Sequence, residues 1–170
     1  IPDNPDAREF LEYAESATLR ARDLTSRLLT FSKGGQPVKS IADLGEVLKE
    51  AVGFTLHGSN VKCVWDIHDE LWPVNIDPTQ MNQVLQNLVL NADQAMESGG
   101  TLRVSSKNVT ISEYDEKLPL AAGSYVKVEI MDHGCGIAAE NIKKIFDPYF
   151  TTKEMDSTKG SGLGLAIVHS

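Results

Sequence analysis

The segment Asp132–Ile137 reads Asp-His-Gly-Cys-Gly-Ile and follows an alternating apolar run at Val126, Val128 and Ile130. The alternation predicts a strand, and it would direct Asp132 toward the buried face of a sheet. A buried carboxylate needs a hydrogen-bond donor, and a ligand amino group, reached directly and through water, would supply one. The alternative is that Asp132 only caps the following turn, or a helix over residues 138–146.

A second glycine segment, Gly160–Leu165, reads Gly-Ser-Gly-Leu-Gly-Leu, and residues 163–168 read as the start of a helix. Backbone amides at such a start, together with the positive end of the helix dipole, can bind the oxygens of a phosphate group. A glycine run by itself more often makes only a turn. Its interpretation therefore depends on the neighbouring segments.

A third segment is the helix predicted from Pro78, after an Asp77 cap, to about Met96. Asn87 and Asn91 lie one helical turn apart on one face, although Asn costs roughly half a kcal/mol in a helix relative to Ala. An amide oxygen can complete the coordination of Mg²⁺; the alternative is a solvated polar face. The predicted apolar face consists of Met81, Val84, Leu85, Leu88, Ala92, Ala95 and Met96.

Taken together, the three segments predict an ATP pocket in which Asp132 accepts a hydrogen bond from the adenine amino group. Residues 146–153 are aromatic and then polar, and residues 154–160 are charged without apolar periodicity, which is typical of a mobile lid. Lys153 and Lys159 would reach phosphates as point charges, or would remain solvated surface lysines.

Composition limits the remaining function classes. The chain has 170 residues, 41% of them hydrophobic, and a net charge of −8, which predicts one or two domains and argues against nucleic acid as the main partner. Its apolar runs are too short for a membrane span, and Cys63 and Cys135 suggest neither a disulfide framework nor a metal site. We therefore expect a cytoplasmic setting.

Residues 6–32 carry apolar or small side chains at alternating steps of four and three, the spacing of a coiled-coil seam. The seam indicates a helical bundle with partners outside this stretch; the alternative is a helix that packs on its own domain. Gly34 and Pro37 end the helix. The predicted division is a bundle helix over 1–34, a linker over 35–42 and a globular domain over 43–170, in which strands and helices form a mostly antiparallel sheet with helices on one face.

The segments 87–92, 132–137, 146–153 and 160–165 resemble, in order and spacing, the N box, the two glycine boxes and the phenylalanine box of sensor histidine kinases. The resemblance covers residues 43–170, and the seam resembles the second helix of the dimerisation and phosphotransfer domain. It implies an α+β fold: a Bergerat-type ATP-binding α/β sandwich, with a mixed, mostly antiparallel sheet, preceded by a long coiled-coil-like helix.

The resemblance also implies that Asn91 binds Mg²⁺, that Asp132 recognises adenine, and that the glycines shape the pocket and its phosphate contacts. The residues expected to bind the nucleotide are Asn87, Asn91, Asp132, Gly134, Gly136, Ile137, Phe146, Phe150, Thr152, Lys153, Gly160, Gly162, Leu163, Gly164 and Leu165. ATP and Mg²⁺ are the implied cofactors. The implied partners are a response regulator receiver domain and a second copy of the chain.

The related gyrase, chaperone and mismatch-repair ATPases carry Glu at the position of Asn87 and use it to activate water. An amide cannot accept a proton at neutral pH, so phosphotransfer is favoured over autonomous hydrolysis. The alternatives are a hydrolysing ATPase of the same fold and a nucleotide-sensing or dimerisation module without enzymatic activity.

Two features depart from the resemblance. The phosphoacceptor histidine, and the first bundle helix that would carry it, are absent from this stretch, since His57, His68, His133 and His169 all lie outside the seam. The chain also stops at Ser170, before the strands that complete the sheet in that family. We therefore expect that this chain alone does not autophosphorylate. The resemblance implies that the parent protein is a protein-histidine kinase, and some kinases of this family are anchored in a membrane.

Overall fold

In a computed structural model of the chain, the described residues are 10, 11, 13–15, 17, 18, 37–112, 119–152 and 162–170. They divide into two compact units, of which the larger is Pro37–Lys144 and the smaller holds the remaining residues at both ends of the chain. The strands are β1 (Ser40–Ala42), β2 (Val61–Ile67), β3 (Val74–Ile76), β4 (Gly100–Ile111) and β5 (Gly123–Met131). The helices are α1 (Leu44–Thr55), α2 (Pro78–Ala95) and α3 (Gly164–His169).

The helix α2 begins where its cap predicts. The Asp77 carboxylate accepts hydrogen bonds from the backbone amides of Thr79, at 2.9 Å, and Gln80, at 3.2 Å, with Pro78 in the first turn. Its second oxygen accepts a hydrogen bond from the Val38 amide at 2.9 Å. The amides of Gln80, Val38 and Thr79 hold the pKa of Asp77 below its usual range because they stabilise the charged carboxylate.

The larger unit contains a mixed three-stranded sheet in the order β2-β4-β5. β2 pairs in parallel with β4, from Val61 opposite Gly100 onward, and β4 pairs antiparallel with β5. Parallel neighbours require a long crossover, and α2 lies in the chain between β2 and β4. The predicted mixed sheet is confirmed.

A separate two-stranded sheet pairs β1 with β3, with Ser40 opposite Ile76. β1 lies inside the predicted linker over 35–42, so the last residues of that segment are paired strand in the larger unit rather than free connection. The signal that was missed is Ile41: one apolar residue in a short run does not show that a distant strand will pair with it.

Helices α1 and α2 cover one face of the three-stranded sheet. On β4, the buried Leu102 and Val104 alternate with the exposed Arg103, so the core lies on one side only. The buried core consists of Leu44, Leu48, Ala51, Val52, Val61, Leu85, Val89, Ala92, Met96, Leu102 and Val104. Val89 is fully buried, whereas Leu88, which was predicted to lie on the apolar face, is not. The reason is that the buried face of α2 packs against α1 as well as against the sheet.

The other helix predictions have different outcomes. Of the predicted long helix over 6–32, only residues 10, 11, 13–15, 17 and 18 are described; these are helical and exposed, so the long helix as a whole is not supported. Residues 138–146 form successive turns rather than a helix, so the alternative of a helix there is wrong. In these turns the Asn141 amide donates a hydrogen bond to the Ala138 carbonyl oxygen, and the Lys144 amide donates one to the Asn141 carbonyl oxygen.

Within the described ranges, no helix is both long and apolar enough to cross a membrane.

Ser106 occupies a core position on β4, between Ile67 on β2 and Val128 on β5. It is 4% exposed, and no described residue forms a hydrogen bond with its hydroxyl oxygen. Replacing it by Ala removes a desolvated polar group, so we expect Ser106→Ala to raise the free energy of unfolding by about 1 kcal/mol, measured by urea denaturation.

The matched control is Ser105→Ala, because Ser105 is half-buried on the opposite face of the same strand; its effect should stay within about 0.5 kcal/mol. A loss of stability in Ser106→Ala instead would show that the hydroxyl is satisfied by an internal water.

Candidate nucleotide-binding site

The first part of the candidate site is the amide pair on α2. Asn87 and Asn91 are both half-buried, and Asn87 projects from the side of α2 opposite Val89. The Asn87 nitrogen Nδ2 is shielded from solvent and has no hydrogen-bond partner among the described residues. An unpaired buried donor costs about 1–3 kcal/mol. A ligand oxygen at this position would remove that cost.

The first glycine segment is fixed to the end of α2 by a close backbone approach. The amide of Cys135 donates a hydrogen bond to the carbonyl oxygen of Ala95 at 3.1 Å. A Cβ atom on Gly134 would lie 2.5 Å from the Ala95 Cβ and 2.6 Å from its carbonyl oxygen, so only glycine fits there. Since Ala95 lies one turn beyond Asn91, this contact holds the loop that carries Asp132 next to the helix that carries the amide pair.

Asp132 departs from the prediction. It is exposed rather than buried, because β5 ends at Met131 and the alternation of side chains ends with it. Its Oδ1 accepts a hydrogen bond from the Gly134 amide at 2.9 Å, so Asp132 does cap the turn that follows it, and its binding of adenine stays a prediction. Its Oδ2 accepts no hydrogen bond from any other described residue and keeps its capacity to accept one.

The rest of the first glycine segment depends on one left-handed residue and one side-chain contact. Gly136 has φ 71°, a conformation that favours glycine, and the next residue, Ile137, is exposed. The His133 Nδ1 lies 3.3 Å from the Thr101 carbonyl oxygen of β4. His133 thus contacts the start of β4, which is distant in sequence.

The second glycine segment lies in the smaller unit and contacts Tyr149. The Tyr149 amide donates to the carbonyl oxygen of Gly162 at 2.9 Å, and Gly162 has φ 66°. The Phe150 amide donates to the carbonyl oxygen of Asp147 at 3.1 Å. Tyr149 also has φ 66°, which for a residue with a Cβ costs about 1–2 kcal/mol; no sequence pattern predicted it.

In the smaller unit, an aromatic contact joins Phe146 to His169 at the end of α3. The Phe146 and His169 ring centroids are 5.1 Å apart and the rings are inclined by 40°. Leu163, immediately before α3, is buried, so its side chain serves packing and only its backbone is available to a ligand.

The predicted site residues therefore fall into two groups, each described within its own unit. The larger unit holds Asn87, Asn91, Asp132, Gly134, Gly136 and Ile137, and the smaller holds Phe146, Phe150, Thr152, Gly162, Leu163, Gly164 and Leu165. Lys153, Lys159 and Gly160 lie outside the described residues. Across the parts of the chain that the structure describes, no group of three or more His, Cys, Asp or Glu side chains is arranged to hold a metal.

Comparison with known proteins identifies the family. The model of the histidine kinase-, DNA gyrase B-, and HSP90-like ATPases matches residues 76–170. The chain belongs to this family. Both asparagines and both glycine segments lie within the match, so the expected use of a nucleotide is confirmed at the level of the family.

The relatives specify the branch. Sensor kinase CckA of Brucella abortus is 36% identical over 98% of this chain and 18% of its own length. Sensor histidine kinase ZraS of Escherichia coli K12 is 31% identical over 99% of this chain and 33% of its own length. The resemblance to sensor histidine kinases is confirmed, and the gyrase-like, chaperone-like and non-catalytic alternatives are not favoured.

A solved structure confirms the fold. Full-length ShkA, crystallised in complex with AMPPNP, superposes with a TM-score of 0.71 over 97% of this chain and 33% of its own length, at 19% identity. The chain thus spans about a third or less of these three relatives.

Gly134→Ala should lower the free energy of unfolding by about 1–3 kcal/mol, because the new methyl group would overlap the backbone of Ala95. Chemical denaturation of the full chain measures the loss.

The matched control is Gly53→Ala in α1. Gly53 is exposed and has no atom within 4 Å of an added Cβ, so the same substitution should raise stability by about 0.5–1 kcal/mol. Equal stabilisation by both variants would contradict the close approach at Gly134.

Proposed function

We propose that this chain is the ATP-binding catalytic part of a sensor histidine kinase, which transfers the γ-phosphoryl group of Mg²⁺-ATP to a histidine outside this stretch. The observation that carries the proposal is the buried amide nitrogen of Asn87, which has no hydrogen-bond partner among the described residues and lies one turn from Asn91. Gly134 holds the Asp132 loop against the end of the same helix. The names of the relatives support the class of reaction.

In this proposal the larger unit recognises the adenine. The Oδ2 of Asp132 accepts a hydrogen bond from the exocyclic amino group, while the Gly134 amide holds Oδ1 and so fixes the orientation of the carboxylate. Gly136, where an added Cβ would meet open space, keeps the loop free of a side chain where the base approaches, while Gly134 permits the close approach of the loop to Ala95. Ile137, which is exposed, contributes apolar contact to the base.

Asn91 provides an amide oxygen to Mg²⁺, which needs few protein ligands when phosphate oxygens and water supply the others. The bound ion neutralises charge on the phosphates during transfer. Asn87 offers a donor to a phosphate oxygen or to a coordinated water. Neither asparagine can take a proton at neutral pH, so this pair positions the phosphates without activating water for hydrolysis.

The smaller unit supplies the phosphate contacts in this proposal. The backbone amides of Gly162–Leu165 bind the phosphates. The remaining predicted residues form the lid and the aromatic segment that anchors it: Phe146, Phe150, Thr152, Lys153 and Gly160. Catalysis rests on position and charge neutralisation, since phosphoryl transfer needs no covalent chemistry from the protein.

The domain division remains part of the proposal. Residues 1–34 act as the second helix of a dimerisation bundle, residues 35–42 join it to the catalytic domain over 43–170, and the parent protein acts as a homodimer on the cytoplasmic side of a membrane or free of one. The phosphorylated histidine then serves as donor to an aspartate on the receiver domain of a response regulator.

The two substitutions that test the pocket should act on different parts of the ligand. Asp132→Asn should weaken the binding of both adenosine and ATP about tenfold or more, because it removes the carboxylate oxygen that accepts a hydrogen bond from the adenine amino group. Asn91→Ala should leave adenosine binding unchanged and abolish the gain in ATP affinity that Mg²⁺ produces. Calorimetric titration of each variant, with and without Mg²⁺, measures both effects.

Glu129→Gln is the matched control for Asp132→Asn. It removes one carboxylate from β5, the strand that leads into Asp132. Glu129 is exposed, and its Oε1 lies 2.8 Å from the Lys127 Nζ, an ion pair that lowers the pKa of Glu129. Nucleotide affinity in the control should match that of the unaltered chain. Normal affinity in Asp132→Asn would move the adenine site elsewhere, and intact Mg²⁺ dependence in Asn91→Ala would move the metal site.

The phosphotransfer reaction is tested by supplying a histidine-bearing bundle helix in trans with radiolabelled ATP. We expect label on that histidine, none on the chain itself, and little release of phosphate when the helix is left out. Steady release of phosphate without any acceptor would instead indicate a hydrolysing ATPase. Tight ATP binding without transfer would indicate a sensing module.

A further inference from the structure

Tyr149 combines an unusual backbone with an uninvolved side chain. Among the residues that the structure describes, it is the one non-glycine residue with a positive φ, 66°. Its side chain is 57% exposed, and the aromatic contact in the smaller unit is made by Phe146 and His169 instead. Backbone strain of this kind persists only where surrounding contacts require it, and it concentrates at ligand sites.

The contact that requires it is with Gly162. The Tyr149 amide donates to the Gly162 carbonyl oxygen at 2.9 Å. A Cβ on Gly162 would lie 2.5 Å from the Tyr149 carbonyl carbon, 2.7 Å from its oxygen and 2.8 Å from its Cα. The two backbones therefore touch directly, and both residues are left-handed. A change of φ at Tyr149 would redirect its amide and end the contact.

The contact also leads directly into the second glycine segment. Gly162 is followed by the buried Leu163 and by Gly164, where α3 begins. Gly162 is held by the hydrogen bond from the Tyr149 amide, and the adjacent Leu163 is held by the packing of its buried side chain. The direction in which the amides of Gly162–Gly164 point thus depends on the conformation of Tyr149.

We infer that Tyr149 is a positioning residue for the phosphate groups of the nucleotide: its left-handed backbone, and not its phenol ring, holds Gly162–Gly164 in the conformation that binds them. This inference rests on the proposed function, because it assumes that the second glycine segment contacts phosphate. It assigns to Tyr149 a role that acts through Gly162.

Three substitutions at the same position separate backbone from side chain. Tyr149→Gly removes the ring entirely and adopts the left-handed region without strain. Tyr149→Val introduces a β-branched side chain, for which that region is strongly disfavoured. Tyr149→Phe keeps the ring and the Cβ and removes only the hydroxyl group. Each variant of the full chain is titrated with ATP in the presence of Mg²⁺ and, separately, with adenosine, which has no phosphate.

We expect ATP affinity in Tyr149→Val to fall about tenfold, equivalent to 1.4 kcal/mol, with adenosine affinity unchanged. Tyr149→Gly and Tyr149→Phe should bind both ligands like the unaltered chain. Hydrogen exchange without nucleotide supplies an independent readout: the amide of residue 149 should be protected in the unaltered chain, the Gly variant and the Phe variant, and exchange faster in the Val variant.

Normal ATP binding by Tyr149→Val would overturn the inference, and so would a loss in Tyr149→Gly as large as that in Tyr149→Val, because the ring would then be the group that matters. An equal loss of ATP and adenosine in the Val variant would also overturn it, since the effect would not be confined to phosphate. Failure of the unaltered chain to bind either ligand would overturn the proposed function itself, and this inference with it.

Discussion

The larger unit depends on the approach of one loop to one helix end, where Gly134 lies so close to Ala95 that no side chain fits between them. The hydrogen bond from the Cys135 amide to the Ala95 carbonyl oxygen satisfies a group that a helix end leaves unpaired. It also determines which residues of α2 lie near Asp132. The amide pair on one segment and the carboxylate on another form one candidate site because of this contact.

The core beneath this contact explains why it can be maintained. α2 is packed through Val89 against α1 and the sheet, and Asn87 projects from the opposite side of the helix, away from this core. Buried polar groups in a native core are normally paired. Among the described residues, the Asn87 nitrogen has no hydrogen-bond partner, and Asn87 lies within the residues that match the ATPase family; the proposed binding role of Asn87 rests on these two observations.

A comparable division holds in the smaller unit, where glycine again permits contact between backbones. The Gly162 carbonyl oxygen accepts a hydrogen bond from the Tyr149 amide. Both residues have a positive φ, which strains the tyrosine but is ordinary for glycine. Both glycine segments thus serve the same physical purpose: they remove side chains where two stretches of backbone, or a backbone and a ligand, must come close together.

The amino-acid sequence by itself determined the cap at Asp77 and the strand alternation before Asp132, because these depend on local hydrogen bonding and periodicity. The mixed sheet followed only from the family resemblance. The sequence also indicated the family through the asparagine pair and the glycine segments. Only the tertiary structure decided that β1 pairs with β3, that Asp132 is exposed and that Tyr149 is left-handed. Each of these depends on a segment distant in sequence or on where a strand ends, and no local pattern records such a contact.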